Sequence, residues 1–406
     1  MISALNLDRG QQVSVKYAEN FTSEEPYKLL EVDEAILQEL LENGLTIKGA
    51  REDEAVLCTS EATYAMKFVS TSNTVLLVPP SKAAKRVDDD VAKCDFMEEG
   101  EEESKETDVG VVATASGHIE LVEVAPNMEK LKALVSERPF RDDEMSVDYE
   151  DDEGNEYIGR LYTWDELSAS IQASDRQLKE ELKKLGAAEI GKYWRTIDPG
   201  YMHNLLEILL STAIQDDWSF KALRESVVLR RLEADGFPPQ VVLSCLETFG
   251  IRVHPSGEDS STSHGTASVG EDTPVWALDE GRICGQYAKV LFSAKPKWRM
   301  DDFMEEWRVI TPSWMTPHID MLRGEALVEK VGMDTWLDEF SSSLLPTRPD
   351  ARFSALFRRR SKWEWEDLEP YFRDLKIPGQ SLEAMLLKYT RKSQPTPTST
   401  PVYTAR

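Results

Sequence analysis

Cysteine is scarce: Cys58, Cys94, Cys245 and Cys284 are the four in 406 residues, and no two form a C-x-x-C pair. That excludes a disulfide framework and a zinc ribbon, and a reducing compartment is expected. Long apolar runs are missing too, with none near the ~18 residues needed to cross a bilayer. Residues Met1 to Asp8 lack the charged start and apolar core of a signal peptide. A soluble, intracellular chain with no membrane contact is expected. Histidine is sparse and scattered at His118, His203, His254, His264 and His318, none of them in H-E-x-x-H. There is no G-x-S-x-G and no G-x-x-x-x-G-K-[ST], so neither a nucleophile elbow nor a standard P-loop ATPase is encoded. No catalytic residue, metal or cofactor is expected.

Positive charge is also in deficit, with 47 Lys and Arg against 74 Asp and Glu, a formal charge of -27. Long-range repulsion of this sign opposes polyanions, so any nucleic-acid surface has to be local. The deficit is uneven. Residues 85–108 hold eleven acids against four bases, and a second acidic stretch runs from Asp142 to Glu156. Asp88-Asp89-Asp90 and Asp151-Asp152 lack the spacing of an EF-hand loop, and solvated disorder is the better reading. Such runs would also repel DNA from the N-terminal half. Residues 341–406 reverse the sign: twelve Lys or Arg against seven acids, or +5.

Hydrophobic residues at 41% and aromatics at 9% supply material for packed cores. At roughly 100–200 residues per domain, about two to four domains are expected. In the first region Val13, Val15 and Tyr17 alternate with polar residues, and Ile36, Leu37, Leu40 and Leu41 lie at helical spacing before Asn43-Gly44. Short strands are expected at 45–48, 55–59, 64–69, 75–78, 109–112 and 118–124, forming a small barrel or an open sheet. The apolar run Val75–Val78 needs cover from another chain if it lies at an edge.

Beyond the acidic stretch the pattern changes. Thr163 with Glu166 predicts a capping box opening a helix, and a second helix over Asp175–Leu185 is closed by Gly186. The run 188–197 reads as a hairpin. Helix, turn, helix and two strands is the order of a winged helix. It recurs with helices at 202–214, 220–232 and 241–249, the last started by Pro238-Pro239, and a third unit is expected from 300. The Thr/Pro-rich tail from Ser393 reads as disordered. The helices at 175–185 and 241–249 occupy recognition positions but have few unopposed donors, so packing is preferred for both.

Three blocks resemble the sister-chromatid-cohesion Dcc family. They are Leu57 to Pro79, with Tyr64-Ala65-Met66-Lys67-Phe68; Val228-Leu229-Arg230-Arg231-Leu232-Glu233 with Gly236; and Arg352-Phe353-Ser354-Ala355-Leu356-Phe357, followed by Trp363, Pro370-Tyr371 and Lys388-Tyr389. The resemblance implies a nuclear, non-catalytic subunit of the alternative replication factor C clamp loader. Its N-terminal part would join a small cohesion-complex subunit and the large loader subunit in a shared β-barrel. Its C-terminal part would be three winged helices contacting single- and double-stranded DNA. Association with DNA polymerase epsilon, and indirectly with PCNA, follows from the same resemblance, as does a role in loading or unloading that clamp.

The expected architecture is therefore α+β: a β-barrel-like domain completed by partner subunits (1–135, with a disordered insertion at 85–108), then an acidic linker (136–156). Winged helices follow at 157–200, at 201–299 with a flexible loop 255–273, and at 300–392, ahead of a disordered tail, 393–406. Arg352, Arg358, Arg359, Arg360, Lys362, Arg373, Lys376, Lys388, Arg391 and Lys392 are the expected DNA contacts. The cluster at 358–362 also suits nuclear import. Trp363 and Trp365 read as core residues. Tyr64, Met66, Phe68, Val75, Leu76, Leu77 and Val78 are the expected partner contacts through strand addition, with a self-contained sheet core as the plainer reading. A tandem winged-helix scaffold without DNA binding is the alternative, and a hydrolase using the acidic clusters a remoter one.

Overall fold

The computed structural model describes residues 13–22, 27–51, 53–79, 107–141, 159–253, 274–375, 378–394, 396 and 399–406. The acidic insertion up to residue 106, the stretch 142–156 and the loop 255–273 lie outside these residues. What is described is a mixed α+β chain with twelve α-helices and five sheets, divided into two units.

The first unit comprises 1–47, 53–59 and 64–123. Its sheet has the order β1–β6–β5–β4–β3, with β2 also paired to β6. The strands are β1 (Val13–Thr22), β2 (Leu29–Leu30), β3 (Thr46–Lys48), β4 (Val56–Cys58), β5 (Thr63–Leu77) and β6 (Thr107–Glu123). Strands β1 and β2 run parallel to β6, while β5 runs antiparallel to it. Helix α1 (Glu34–Glu42) follows β2, and the Asp33 carboxylate accepts from the Ile36 N–H at 2.8 Å. Among the described residues the sheet stays open, with β1 and β3 as its edges, so of the two forms expected from sequence this chain by itself makes the open sheet and no closed barrel. Four of the expected short strands merge into two long ones. The polar run Ser70–Thr74 reads as a turn, yet the chain absorbs it as a register shift between Ser70 and Val75, which keeps β5 continuous.

The second unit takes 48–52, 60–63 and 124–406. One order occurs in it four times: helix, strand, helix, helix or 3-10 turn, then two strands. The first repeat is α2 (Glu129–Ser136), β7 (Tyr162–Thr163), α3 (Trp164–Ser170), α4 (Asp175–Lys184), β8 (Ala188–Ile190) and β9 (Tyr193–Arg195). The second is α5 (Pro199–Gln215), β10 (Leu223–Arg224), α6 (Glu225–Ala234), α7 (Pro239–Phe249), β11 (Gly250–Val253) and β12 (Val275–Leu278). The third is α8 (Glu280–Ala294), β13 (Lys297–Arg299), α9 (Met300–Ile310), a 3-10 turn (Ile319–Leu322), β14 (Ala326–Val331) and β15 (Asp334–Glu339). The fourth is α10 (Pro349–Arg359), β16 (Trp363–Glu364), α11 (Trp365–Leu368), α12 (Leu382–Tyr389), β17 (Thr390–Ser393) and β18 (Val402–Ala405). Every three-stranded sheet places its last strand in the middle, so all four share one topology.

Three sequence expectations are corrected here. The stretch read as one unit from residue 300 holds most of two such sheets. The tail from 393, read as disordered, contributes β18, whose Tyr403 lies opposite Trp363 and Lys392. Helix α2, assigned from sequence to the N-terminal domain, belongs to the second unit, because Met128, Leu131 and Val135 share a core with Leu167, Leu178 and Leu182. Burying each such leucine contributes about 1.5–3 kcal/mol over leaving it exposed.

Local chemistry explains the helix boundaries. Thr163 and Glu166 form the expected reciprocal box on α3, and Ser174 with Gln177 forms a second on α4. Pro239 opens α7 at a position where its missing N–H costs nothing. Trp307, with no exposed surface, donates its indole N–H to the Cys284 carbonyl at 2.9 Å. Burial pushes the Cys245 thiol up to about 12 and the Cys284 thiol to about 11. Both therefore stay protonated and unreactive at neutral pH.

Candidate nucleic-acid and partner-binding surfaces

Nine of the ten cations expected to contact DNA lie among the described residues, and they separate into three groups. Arg352 is buried at 1% exposure on α10. Its guanidinium donates to the Pro346 carbonyl at 2.6 Å, the Tyr371 carbonyl at 2.9 Å and the Asp374 carboxylate at 2.7 Å. It is a core crosslink of the fourth repeat and has no face left for a phosphate, which corrects the sequence reading.

Arg359, Arg360 and Arg373 are paired with carboxylates. Arg359 forks to Glu329 at 2.9 Å and Asp338 at 2.5 Å, both on the third repeat's hairpin, and lies 5.9 Å from the Phe340 ring centroid. Arg360 binds Asp367 at 2.7 Å and the Val328 carbonyl at 2.8 Å. Together with the Tyr371 hydroxyl, which donates to the Ala326 carbonyl at 3.0 Å, these bonds hold the fourth repeat against β14 and β15. Arg373 pairs with Glu369 at 3.2 Å. Sequence could not show the Arg359 pairings, since Glu329 stands 30 and Asp338 21 residues away.

Arg358, Lys362, Lys388, Arg391 and Lys392 are exposed. Lys388 ends α12 above the Tyr389 ring, and Arg391 and Lys392 continue directly into β17. Arg406, left out of the expected site because the tail was read as disordered, is held at the same place. Its guanidinium donates to the Leu387 carbonyl at 2.9 Å. The β-forming run Val402-Tyr403-Thr404 was the available signal. The end of α12 and the β17–β18 hairpin thus carry four cations. Lys376 lies outside the described residues. Trp363 is fully buried and Trp365 half-buried among aromatic neighbours, as core residues.

In the first unit, β5 is an interior strand by order, but its two neighbours differ greatly in length. It runs 15 residues against the 17 of β6 and only 3 of β4. Most of its edge away from β6 therefore has no strand beside it among the described residues. Phe68 is 51% and Leu76 45% exposed, while Tyr64, Met66, Val75, Leu77 and Val78 are half-buried. The register shift means these seven side chains do not form one alternating face. Burial, and then Glu123, Asp33 and Glu39, raise the Tyr64 hydroxyl above its usual range, so it stays a neutral donor. On β1, Val15 and Tyr17 are 57% and 68% exposed and Val13 is half-buried, so most of the apolar face seen in the sequence is uncovered among the described residues.

The family described as sister chromatid cohesion protein Dcc1 matches residues 27–372. The chain belongs to that family. Several curated relatives match along most of their length. The sister chromatid cohesion protein DCC1 of Danio rerio is 30% identical over 381 residues, 93% of this chain and 89% of the relative. That of Xenopus tropicalis is 29% identical over 378 residues, covering 93% and 88%, and that of Homo sapiens is 27% identical over 366 residues, covering 90% and 85%. The family match ends at 372, ahead of α12 and its hairpin, so membership rests on the first unit and the first three repeats, with only the start of the fourth. No helix among the described residues is long and apolar enough to cross a membrane.

Proposed function

We propose that this chain is a non-catalytic scaffold acting in sister chromatid cohesion, as a subunit of the alternative replication factor C clamp loader in the nucleus. The family match over most of the chain carries this reading. Relatives of similar length are named for sister chromatid cohesion, and the sequence holds no nucleotide-binding or nucleophile motif. Clamp loading or unloading on PCNA would use ATP hydrolysed by partner subunits, with polymerase epsilon as a further associate.

The long edge of β5 and the uncovered face of β1 support assembly by strand addition, in which backbone groups supply affinity and Phe68 and Leu76 supply register. The four-fold helix–strand–helix–helix–hairpin order supports tandem winged helices, one more than the sequence suggested. In that reading α12 is the recognition element of the last repeat and β17–β18 its wing. Lys388, Arg391 and Lys392 would then meet phosphates, giving affinity without sequence preference.

A second reading, a protein scaffold without DNA contact, is favoured by one observation: Arg352, Arg359, Arg360 and Arg373 are all engaged within the chain. Fluorescence anisotropy with single- and double-stranded oligonucleotides separates the two. Under the first reading, Lys388→Glu/Arg391→Glu/Lys392→Glu abolishes binding, and the Ala triple variant flattens the slope of log affinity against log salt by about 2.7. Unchanged affinity in both triples would leave the scaffold reading standing.

A further inference from the structure

The open sheet of the first unit carries a cluster that assembly and DNA binding do not use. In the parallel pair β2–β6, Leu29 lies opposite His118 and Leu30 opposite Ile119. Glu31, whose N–H donates to the Ile119 carbonyl at 2.9 Å, continues this register and comes opposite Glu120. His118 and Glu120 are two apart on β6, so the three side chains share one face. The His118 Nε2 stands 3.0 Å from a Glu31 oxygen and 3.6 Å from a Glu120 oxygen. One donor atom from each of the three lies within 4.8 Å of the others.

Two features of this arrangement point to a cation. Like charges directly opposite across a strand pair are destabilising, and Glu31 and Glu120 are such a pair. Lys67, opposite Glu120 on β5, is exposed and makes no ion pair with it within 4.0 Å. The spacing is the second feature. Zinc bound by imidazole nitrogen and carboxylate oxygen at about 2.0–2.2 Å in a tetrahedron separates its ligand atoms by roughly 3.3 Å. The two His118 distances bracket that value with little side-chain movement.

We propose that Glu31, His118 and Glu120 form a binding site for a divalent transition-metal ion of the zinc type. His118 binds through Nε2, one oxygen comes from each glutamate, and water fills the fourth position. One imidazole and two carboxylates suit Zn2+, and they disfavour soft ions that select thiolates. The ion replaces carboxylate repulsion with two bonds that pin β2 to β6. It therefore fixes the path by which the N-terminal chain enters the sheet, a structural task in a site open on one side.

The test is titration of the metal-free full chain with Zn2+ by calorimetry, and with Co2+ by visible absorption. The expected result is one saturable site per chain with a four-coordinate cobalt spectrum. His118→Ala and the near-isosteric Glu31→Gln should each weaken it by roughly 100-fold or more, at least the loss produced by removing a supporting contact around a metal. His318→Ala is the control. That exposed histidine also touches a carboxylate, Asp320 at 3.0 Å, but has no second one, so the variant should bind as the wild type does. Folding of the variants is checked by their far-ultraviolet spectra, since all three positions are partly or largely exposed. Absence of saturable binding, or binding that survives His118→Ala, overturns the site and assigns any residual uptake to the acidic segments.

Discussion

Arg359→Ala should unfold the chain more easily while leaving DNA affinity almost unchanged, the reverse of what its place in an Arg-Arg-Arg run suggests. The guanidinium is 29% exposed, and its two partners, Glu329 and Asp338, are 24% and 25% exposed. A hydrogen bond to a charged group contributes about 1.5–3 kcal/mol when buried, and partial exposure reduces two such bonds to a joint value near 2 kcal/mol. Truncation also leaves Glu329 and Asp338 facing each other without a cation, and it removes a cation–π contact with Phe340 worth about 0.5 kcal/mol. The expected loss is about 2–3 kcal/mol, measured by urea unfolding followed through tryptophan fluorescence. Arg359→Lys should recover less than half of it, because one ammonium cannot hold two carboxylates in a fork. In a double-mutant cycle, Arg359→Ala with Glu329→Gln should show coupling of about 1 kcal/mol. A loss below about 0.5 kcal/mol, together with a tenfold drop in DNA affinity, would refute the assignment and return Arg359 to the DNA surface.

Asp217 adopts φ 53° after α5, where Trp218 N–H bonds the Ala213 carbonyl at 2.7 Å and Asp217 N–H bonds that of Ile214 at 3.3 Å. This is a Schellman ending with a non-glycine residue in the left-handed position, so Asp217→Gly should raise stability by about 0.5–1 kcal/mol in the same assay; a neutral or destabilising result would contradict it. Gly117→Ala should disrupt the β5–β6 pair, since a Cβ there runs into the Val69 carbonyl oxygen and comes within 2.9 Å of the Ser70 Cα. A loss of about 3 kcal/mol or more, seen as earlier thermal unfolding and faster proteolysis of the first unit, is expected, and wild-type behaviour would show that the strands can separate freely. Stability should also fall as pH rises above 9. The unfolded thiols of Cys245 and Cys284 lose protons near the ordinary value of 9.0, while the folded ones hold them to about 12 and 11. The unfolded state therefore binds fewer protons across that window and is favoured. Cys245→Ala/Cys284→Ala should lose less stability than the wild type between pH 8 and 10.5, and an equal loss would assign the alkaline transition to other groups.

Sequence revealed what is local and hid what is distant. The Thr163–Glu166 box, the Pro239 helix start and the Gly186 and Gly236 stops, at φ 62° and 96°, are short-range chemistry and could be read directly. The four-fold repeat could not. Three of its opening strands, β7, β10 and β16, are two residues long, too short to show alternation. In the second repeat the hairpin strands are parted by residues 254–274, most of which the sequence does mark as a loop, but in the fourth the Pro/Thr-rich stretch 394–401 reads as an end instead of a loop. The continuity of β5 was hidden for a related reason: a Ser/Thr/Asn run is as common in turns as at a bulge.

The basic cluster shows why charge sign alone is a poor guide to nucleic-acid contact in an acidic protein. With 74 carboxylates to 47 cations, an arginine brought near another segment meets a carboxylate more often than not. The long, forked guanidinium is also the side chain best able to bridge two of them. The run Arg358-Arg359-Arg360 spans the end of α10 and its cap: Arg358 and Arg359 are about 100° apart around the helix, and Arg360 is already in extended backbone, so the three do not share one outward face. Arg358 faces outward, while Arg359 and Arg360 turn toward the third repeat's hairpin. Lys388, Arg391 and Lys392 escape that fate for a geometric reason. They straddle a helix end and the start of a strand, where the chain changes direction, and within the described residues no acidic hairpin packs over them. Exposure without a facing carboxylate, not density along the chain, therefore marks the cations able to meet a phosphate, and it moves the candidate DNA surface some thirty residues C-terminal to where the sequence concentrates its arginines.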